Sequence, residues 1–190
     1  MIPILQLNTQ YEAIGAELEE AVVRALRGTH YILGPEVAAF EKEFAQWHGV
    51  SGAVGVANGT DALHLAVRAL DLGPDDEVIC PAFTFIATAG AIALAGARPV
   101  FCDIDPVYYA MDPADLKKRI TPKINAVVVV HLFGHPAPMD EIVAIAKEHN
   151  LAVIEDCAQA TGAEHNGQKV GTLGDFGCYS FFPSKNLGGI

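Results

Sequence analysis

From residue 53 onward, short apolar runs alternate with helical patterns, which predicts an α/β fold: a mostly parallel sheet flanked by helices. Two further observations support it. The Val127 to Val130 run is continuous rather than alternating, as in a strand covered on both faces. The stretches between runs are long and periodic enough to be crossover helices. Of the 190 residues 51% are apolar, so the chain can bury a sizeable core, as one ordinary domain or part of a larger one.

Two amphipathic helices open the chain over a helical segment, residues 1–52. Ile14, Leu18, Ala21, Val22, Ala25 and Leu26 recur at helical spacing and stop at Gly28; Val37, Phe40, Phe44 and Trp47 do the same and stop at Gly49. Between them Tyr31 to Pro35 reads as a connector, because Pro35 suits a helix's first turn and biases Gly34 away from it. The sheet portion, 53–190, carries strands expected over 53–56, 78–81, 99–102, 126–132, 151–155 and 178–182. The helices expected among them cover 61–70, 84–95, 112–120 and 139–150. The last shows the local signals well: Pro138 precedes it, Asp140 and Glu141 sit at its positive end, and Lys147 and His149 at its negative end.

A net charge of -11 argues against a nucleic-acid or anionic-membrane surface, so any bound phosphate must be met by backbone amides and hydroxyls. Cys80, Cys102, Cys157 and Cys178 form no C-x-x-C pair, and the N-terminus has no signal-like pattern, so they read as free thiols of a cytoplasmic protein. The weakly polar stretch 87–97 is too short to span a bilayer, which needs about 20 apolar residues.

Ligands of open parallel sheets sit beyond the strands' carboxyl ends, and Asn58, Phe83 to Phe85, His131, Asp156 and Lys185 all follow such ends. Asn58-Gly59-Thr60-Asp61 opens a helix and suits a phosphate cup, although the motif taken alone fits a plain tight turn capped by Thr60 or Asp61 better. Strand alternation aims Glu155 and Asp156 at opposite faces; Asp156 could hold a protonated ring nitrogen, or cap the segment after it. Lys185 lies between two aromatics and two glycines, placed to form a Schiff base with an aldehyde cofactor, though it also fits an exposed loop lysine. Phe85 could stack on a planar ring or fill the core. His131 and His135 are four apart, but Gly134, Pro136 and Pro138 preclude a helix, so no metal site is expected and His131 stays unassigned. No G-x-G-x-x-G follows an early strand, which disfavours a dinucleotide binder.

In this order and spacing, Asn58 to Leu63, Pro81 to Phe85, Glu155 to Gln159 and Ser180 to Gly188 resemble the DegT/StrS family of sugar aminotransferases over nearly the whole chain. The resemblance implies the fold type I architecture of pyridoxal 5′-phosphate enzymes, working as homodimers with active sites at the subunit interface. It implies that Lys185 forms the Schiff base, Asp156 pairs with the pyridine nitrogen and Gln159 meets the ring hydroxyl. Phe85 would stack on the ring, and Thr60, Ser180 and the amides around Gly59 and Asp61 would hold the phosphate. The reaction implied is amino transfer from an amino acid, typically L-glutamate, to a nucleotide-linked keto-deoxysugar. The wording around Lys185 leans to amination at the sugar's third carbon, and the lysine itself disfavours the family's dehydratases, which carry histidine there.

Members of that family run to roughly twice this length, as two-domain enzymes do. The chain therefore reads as the N-terminal part of the cofactor-binding large domain, incomplete and without the small C-terminal domain. The alternative is a non-catalytic or regulatory protein of the same fold, or an inactive fragment, that binds cofactor or sugar nucleotide without turnover.

Overall fold

A computed structural model describes residues 5–189, and the chain divides into two units with the boundary between Gly55 and Val56. The first holds α1 (Leu7–Gly28) and α2 (Pro35–His48). α1 runs through its predicted stop: Gly28 stays helical, and Thr29, in the left-handed region at φ 56°, turns the chain and returns its N–H to Leu26. In α2 Pro35 takes the first turn, and Gly49, at φ 70°, closes the helix as its sequence predicts. Phe40, Phe44 and His48 stack along it one turn apart, with ring centroids 5.5 and 4.2 Å from one to the next.

The strand expected over 53–56 is absent. Val54 is 82% exposed, and the Gly55 N–H donates to Glu41 Oε1 at 2.7 Å instead of entering a ladder. A four-residue run with no strand beside it has nothing to satisfy its backbone as sheet.

The second unit contains the predicted sheet. Its main strands are β1 (Glu77–Pro81), β2 (Arg98–Cys102), β3 (Ile124–Val130) and β4 (Ala152–Asp156). A hairpin of β5 (Glu164–His165) and β6 (Gln168–Lys169) follows, and then β7 (Phe176–Cys178). Five strands pair in the order β2-β1-β3-β4-β7, every pair parallel. The helices are α3 (Gly59–Ala69), α4 (Ile86–Leu94), α5 (Pro113–Arg119) and α6 (Met139–Glu148).

Period-two alternation sorts the strand residues into two cores. Val78, Cys80, Val128 and Ile154 pack with Leu63 and Val67 of α3 and Ile92 of α4. Ile79, Val127, Val129 and Val153 pack with Leu116 of α5 and Ile142 and Ile145 of α6. The four cysteines are free and buried, and burial pushes the Cys80 and Cys178 thiols up to about 12, which makes them inert packing groups.

Two details depart from expectation. The last strand lies at 176–178 rather than 178–182, because its partner β4 ends at Asp156, which pairs with Cys178 and leaves nothing beyond for the chain to pair with. The β5–β6 hairpin was not expected, although its turn is Asn166-Gly167, both at positive φ (51° and 80°), the strongest short hairpin signal. Among the described residues no helix is long and apolar enough to cross a membrane.

Candidate active site

Because the sheet is wholly parallel, the carboxyl ends of its strands share one edge, and the chemistry-bearing residues collect there. The first contribution is the N-terminus of α3. Asn58, extended at φ -167°, caps it: its Oδ1 accepts the Asp61 N–H at 2.9 Å, and its Nδ2 donates to Asp61 Oδ2 at 3.0 Å. The Asp61 amide is engaged by this cap. The Gly59 and Thr60 amides, in the first turn, have no carbonyl of their own helix to bond, and the Thr60 hydroxyl stands beside them.

Gly59 has a second reason to be glycine. A Cβ there would lie 2.8 Å from Cβ of the buried Ser180 and 3.3 Å from its hydroxyl, so only hydrogen lets the start of α3 meet the segment leaving β7. Two stretches far apart in sequence thus bring Gly59 and Ser180 into contact.

Asp156 ends β4 on the α3/α4 side and is 6% exposed. Its Oδ1 accepts the Ala158 N–H at 3.1 Å and its Oδ2 the Thr88 hydroxyl at 2.9 Å. Thr88 spends its one proton on that bond, so the 3.0 Å contact with Thr84 is a donation from Thr84, and a chain of hydroxyls runs into the carboxylate. Burial pushes the Asp156 carboxyl up, against the Ala158 and Thr88 donors. Thr88 escaped the sequence reading; its signal was a lone hydroxyl in the otherwise apolar helix Ile86–Leu94.

Glu155 faces the other way and is wholly buried. Its carboxylate accepts N–H bonds from Gly171 (2.7 Å), Leu173 (2.8 Å), Gly174 (2.7 Å) and His131 Nε2 (3.0 Å). Burial pushes this carboxyl up as well, but the His131, Gly171 and Gly174 donors outweigh it and hold the group below its usual value. His131, Glu155 and Cys157 bring potential metal-donor atoms within 4.8 Å of one another. The glutamate's lone pairs are already committed to N–H groups, so the cluster acts as an internal brace. His135 lies apart in character: it is exposed, its ring stacked on Tyr108 at 5.9 Å.

Lys185 lies in a turn in which its N–H donates to Phe182 O at 2.8 Å, and it is half-buried. Phe85, 69% exposed at the N-cap of α4, belongs to neither core, which removes the packing alternative and leaves its ring face available. Gln159, half-buried, accepts the Phe133 N–H on Oε1 at 2.8 Å. The strand ends thus gather a helix N-terminus, a buried carboxylate with few donors, a half-buried amine and an exposed aromatic ring.

Comparison with known proteins agrees with this chemistry. Residues 12–189 match the DegT/DnrJ/EryC1/StrS aminotransferase family. The UDP-N-acetyl-3-dehydro-alpha-D-glucosamine 3-aminotransferase of Acidithiobacillus ferrooxidans is 52% identical over 187 residues, which are 98% of this chain and 51% of that protein. The crystal structure of S. venezuelae DesV superposes with a TM-score of 0.96 at 43% identity, covering all of this chain and 51% of its own. NtdA from Bacillus subtilis, solved with bound cofactor PMP, gives 0.90 at 31% identity, covering 98% of this chain and 42% of its own. The chain spans about half the length of the relatives it matches.

Proposed function

Since the chain belongs to the DegT/DnrJ/EryC1/StrS aminotransferase family, we propose that it carries the cofactor half of a site that moves an amino group from L-glutamate to a nucleotide-linked keto-deoxysugar, at the sugar's third carbon. The observation that carries the reading is Asp156: a carboxylate buried at a strand end with only the Thr88 hydroxyl and the Ala158 N–H as donors. The regiochemical choice is supported by the sequence around Lys185 and by the 3-aminotransferase of A. ferrooxidans. At full length the protein works as a homodimer, as the family resemblance implies, and its free cysteines fit the cytoplasm.

The family's cofactor is pyridoxal 5′-phosphate, and the residues present fit it. Where the start of α3 meets Ser180, the Gly59 and Thr60 amides of the helix's first turn and the Thr60 and Ser180 hydroxyls belong to adjoining stretches of chain, and this suits a phosphate. Asp156 is a socket for a protonated ring nitrogen, which relieves the cost of its burial. Phe85 offers its face to the ring, and Gln159 an N–H to the ring oxygen. When bound, the cofactor supplies an aldehyde for amine capture and a ring that withdraws electrons from the adjoining carbon.

The chain's own groups then have separable tasks. Asp156, ionised beside the ring nitrogen, keeps that nitrogen protonated; the Thr84 and Thr88 hydroxyls hold the carboxylate in place. The Lys185 amine takes the proton from the amino-acid carbon and returns one nearby, a positioned base worth about 10²–10⁴ in rate. Gly59, Thr60 and Ser180 anchor the phosphate so that this transfer occurs at a fixed distance.

Reduction with borohydride in the presence of pyridoxal 5′-phosphate, followed by peptide mapping, is expected to label Lys185; a label at another lysine overturns the assignment. Incubation with L-glutamate is expected to convert the bound cofactor to its amine form, which a binding protein without turnover fails to do. Supplying nucleotide-linked 3-keto and 4-keto sugars separately tests the regiochemistry, with product expected from the 3-keto sugar.

A further inference from the structure

His131 takes no part in the steps above, yet it is fully enclosed and both of its ring nitrogens are committed. Ala137 N–H donates to Nδ1 at 3.0 Å. A backbone N–H can only donate, so Nδ1 carries no proton and the ring proton sits on Nε2, which donates to Glu155 Oε2 at 3.0 Å. The backbone of His131 is held too, its N–H donating to Asp156 O at 3.1 Å. One residue therefore pins both ends of the strap 131–137, with its backbone on β4 and its ring on Ala137.

Within the strap the chain makes a single tight turn: Gly134 N–H returns to His131 O at 3.3 Å and His135 N–H to Leu132 O at 3.0 Å. Phe133 is forced into the left-handed region, φ 56° and ψ 19°, an unfavourable place for an aromatic residue that persists only because its surroundings impose it. In that conformation the Phe133 N–H reaches Gln159 Oε1 at 2.8 Å. The bond decides which way round the Gln159 amide lies: its oxygen is held by the strap, and its NH₂ is the end left to act. A reversed amide would set donor against donor at Phe133 and acceptor against acceptor at a ring oxygen.

We propose that His131 is a positioning residue for Gln159, holding the strap so that the Gln159 amide presents its NH₂ to the cofactor's ring oxygen. The inference rests on the site reading given above, in which Gln159 meets that oxygen. A donor there favours the deprotonated ring oxygen, so the pH midpoint of the bound cofactor's visible absorbance reports the amide's orientation without any turnover. Asp156, Glu155, Cys157 and Lys185 are retained in every variant below, while His131→Phe removes the imidazole bonded to Glu155 and Gln159→Glu adds a carboxyl; His131→Gln and the double variant separate these charge changes from the amide's orientation.

In the full chain loaded with pyridoxal 5′-phosphate, Gln159→Glu, which keeps an acceptor for Phe133 but offers no donor, is expected to raise the midpoint by about one pH unit. His131→Phe is expected to do the same, His131→Gln to recover part of the shift, and the double variant His131→Phe/Gln159→Glu to shift no further than Gln159→Glu alone. An unshifted His131→Phe, or additive shifts in the double variant, overturns the inference while leaving cofactor binding intact. Failure of the parent to take up cofactor overturns the site reading and this inference with it. Should His131→Phe not fold, hydrogen exchange in the parent decides: a protected Phe133 amide is expected, and exchange at the rate of an open loop rejects the strap.

Discussion

Glu155 and Asp156 are consecutive residues of one strand, both buried, and the two faces of the sheet pull their acidities in opposite directions. On the α5/α6 side Glu155 collects four N–H bonds and its carboxyl is held down. On the α3/α4 side Asp156 has Thr88 and Ala158 as donors, too few to offset burial, and its carboxyl is pushed up. A carboxylate that the protein satisfies completely is a brace, whereas one left short is a socket for an incoming cation. Two neighbours of similar chemistry thus sit in opposite electrostatic surroundings.

The largest expected effect comes from exchanging each charge for an amide. Asp156→Asn should lower kcat for amino transfer by about 10²–10³, yet raise the melting temperature of the cofactor-free chain at pH 7. Glu155→Gln should cost about 3 kcal/mol of stability. The signs differ with pH as well. The depressed Glu155 contributes stability above the ordinary carboxylate range and loses it as pH falls through its lowered value, so the Glu155→Gln deficit closes in acid. The raised Asp156 contributes below that range and loses this as pH rises through its raised value, so the advantage of Asp156→Asn grows with pH. Melting curves of both variants across the acid range that move in the same direction at neutral pH would break the contrast.

A smaller effect is expected at the start of α3. Gly59→Ala drives a methyl against Ser180 and should cost about 1–3 kcal/mol, with a matching loss of pyridoxal 5′-phosphate affinity measured by fluorescence titration; unchanged affinity would remove Gly59 from the phosphate site. The smallest sharpens the socket itself. Thr88→Val deletes one donor to Asp156, so in that background the pH at which the advantage of Asp156→Asn stops growing should move up by about one unit.

Much of this was legible in the sequence, for physical reasons. The valine run at 127–130 and the helix from Met139 combine apolar pattern with local punctuation, and both elements form as expected. The opposed faces of Glu155 and Asp156 follow from strand alternation alone. The run at 53–56 misled because a strand needs a neighbour, which no local pattern supplies. Thr88, the work of Glu155 and the strap held by His131 were not legible: each depends on a contact across elements, and a hydroxyl or a histidine in one segment does not announce its partner in another. The Asn166-Gly167 turn was written plainly and overlooked.

The meeting of Gly59 with Ser180 also has a kinetic side. These residues stand near opposite ends of their unit in sequence, and β7, which delivers Ser180 and Lys185, is three residues long and lies at the sheet's edge. So distant a closure carries its entropic cost until the intervening strands and helices have shortened the path between its ends. In refolding, helix and sheet signals should therefore recover first, and the ability to capture cofactor should arrive last.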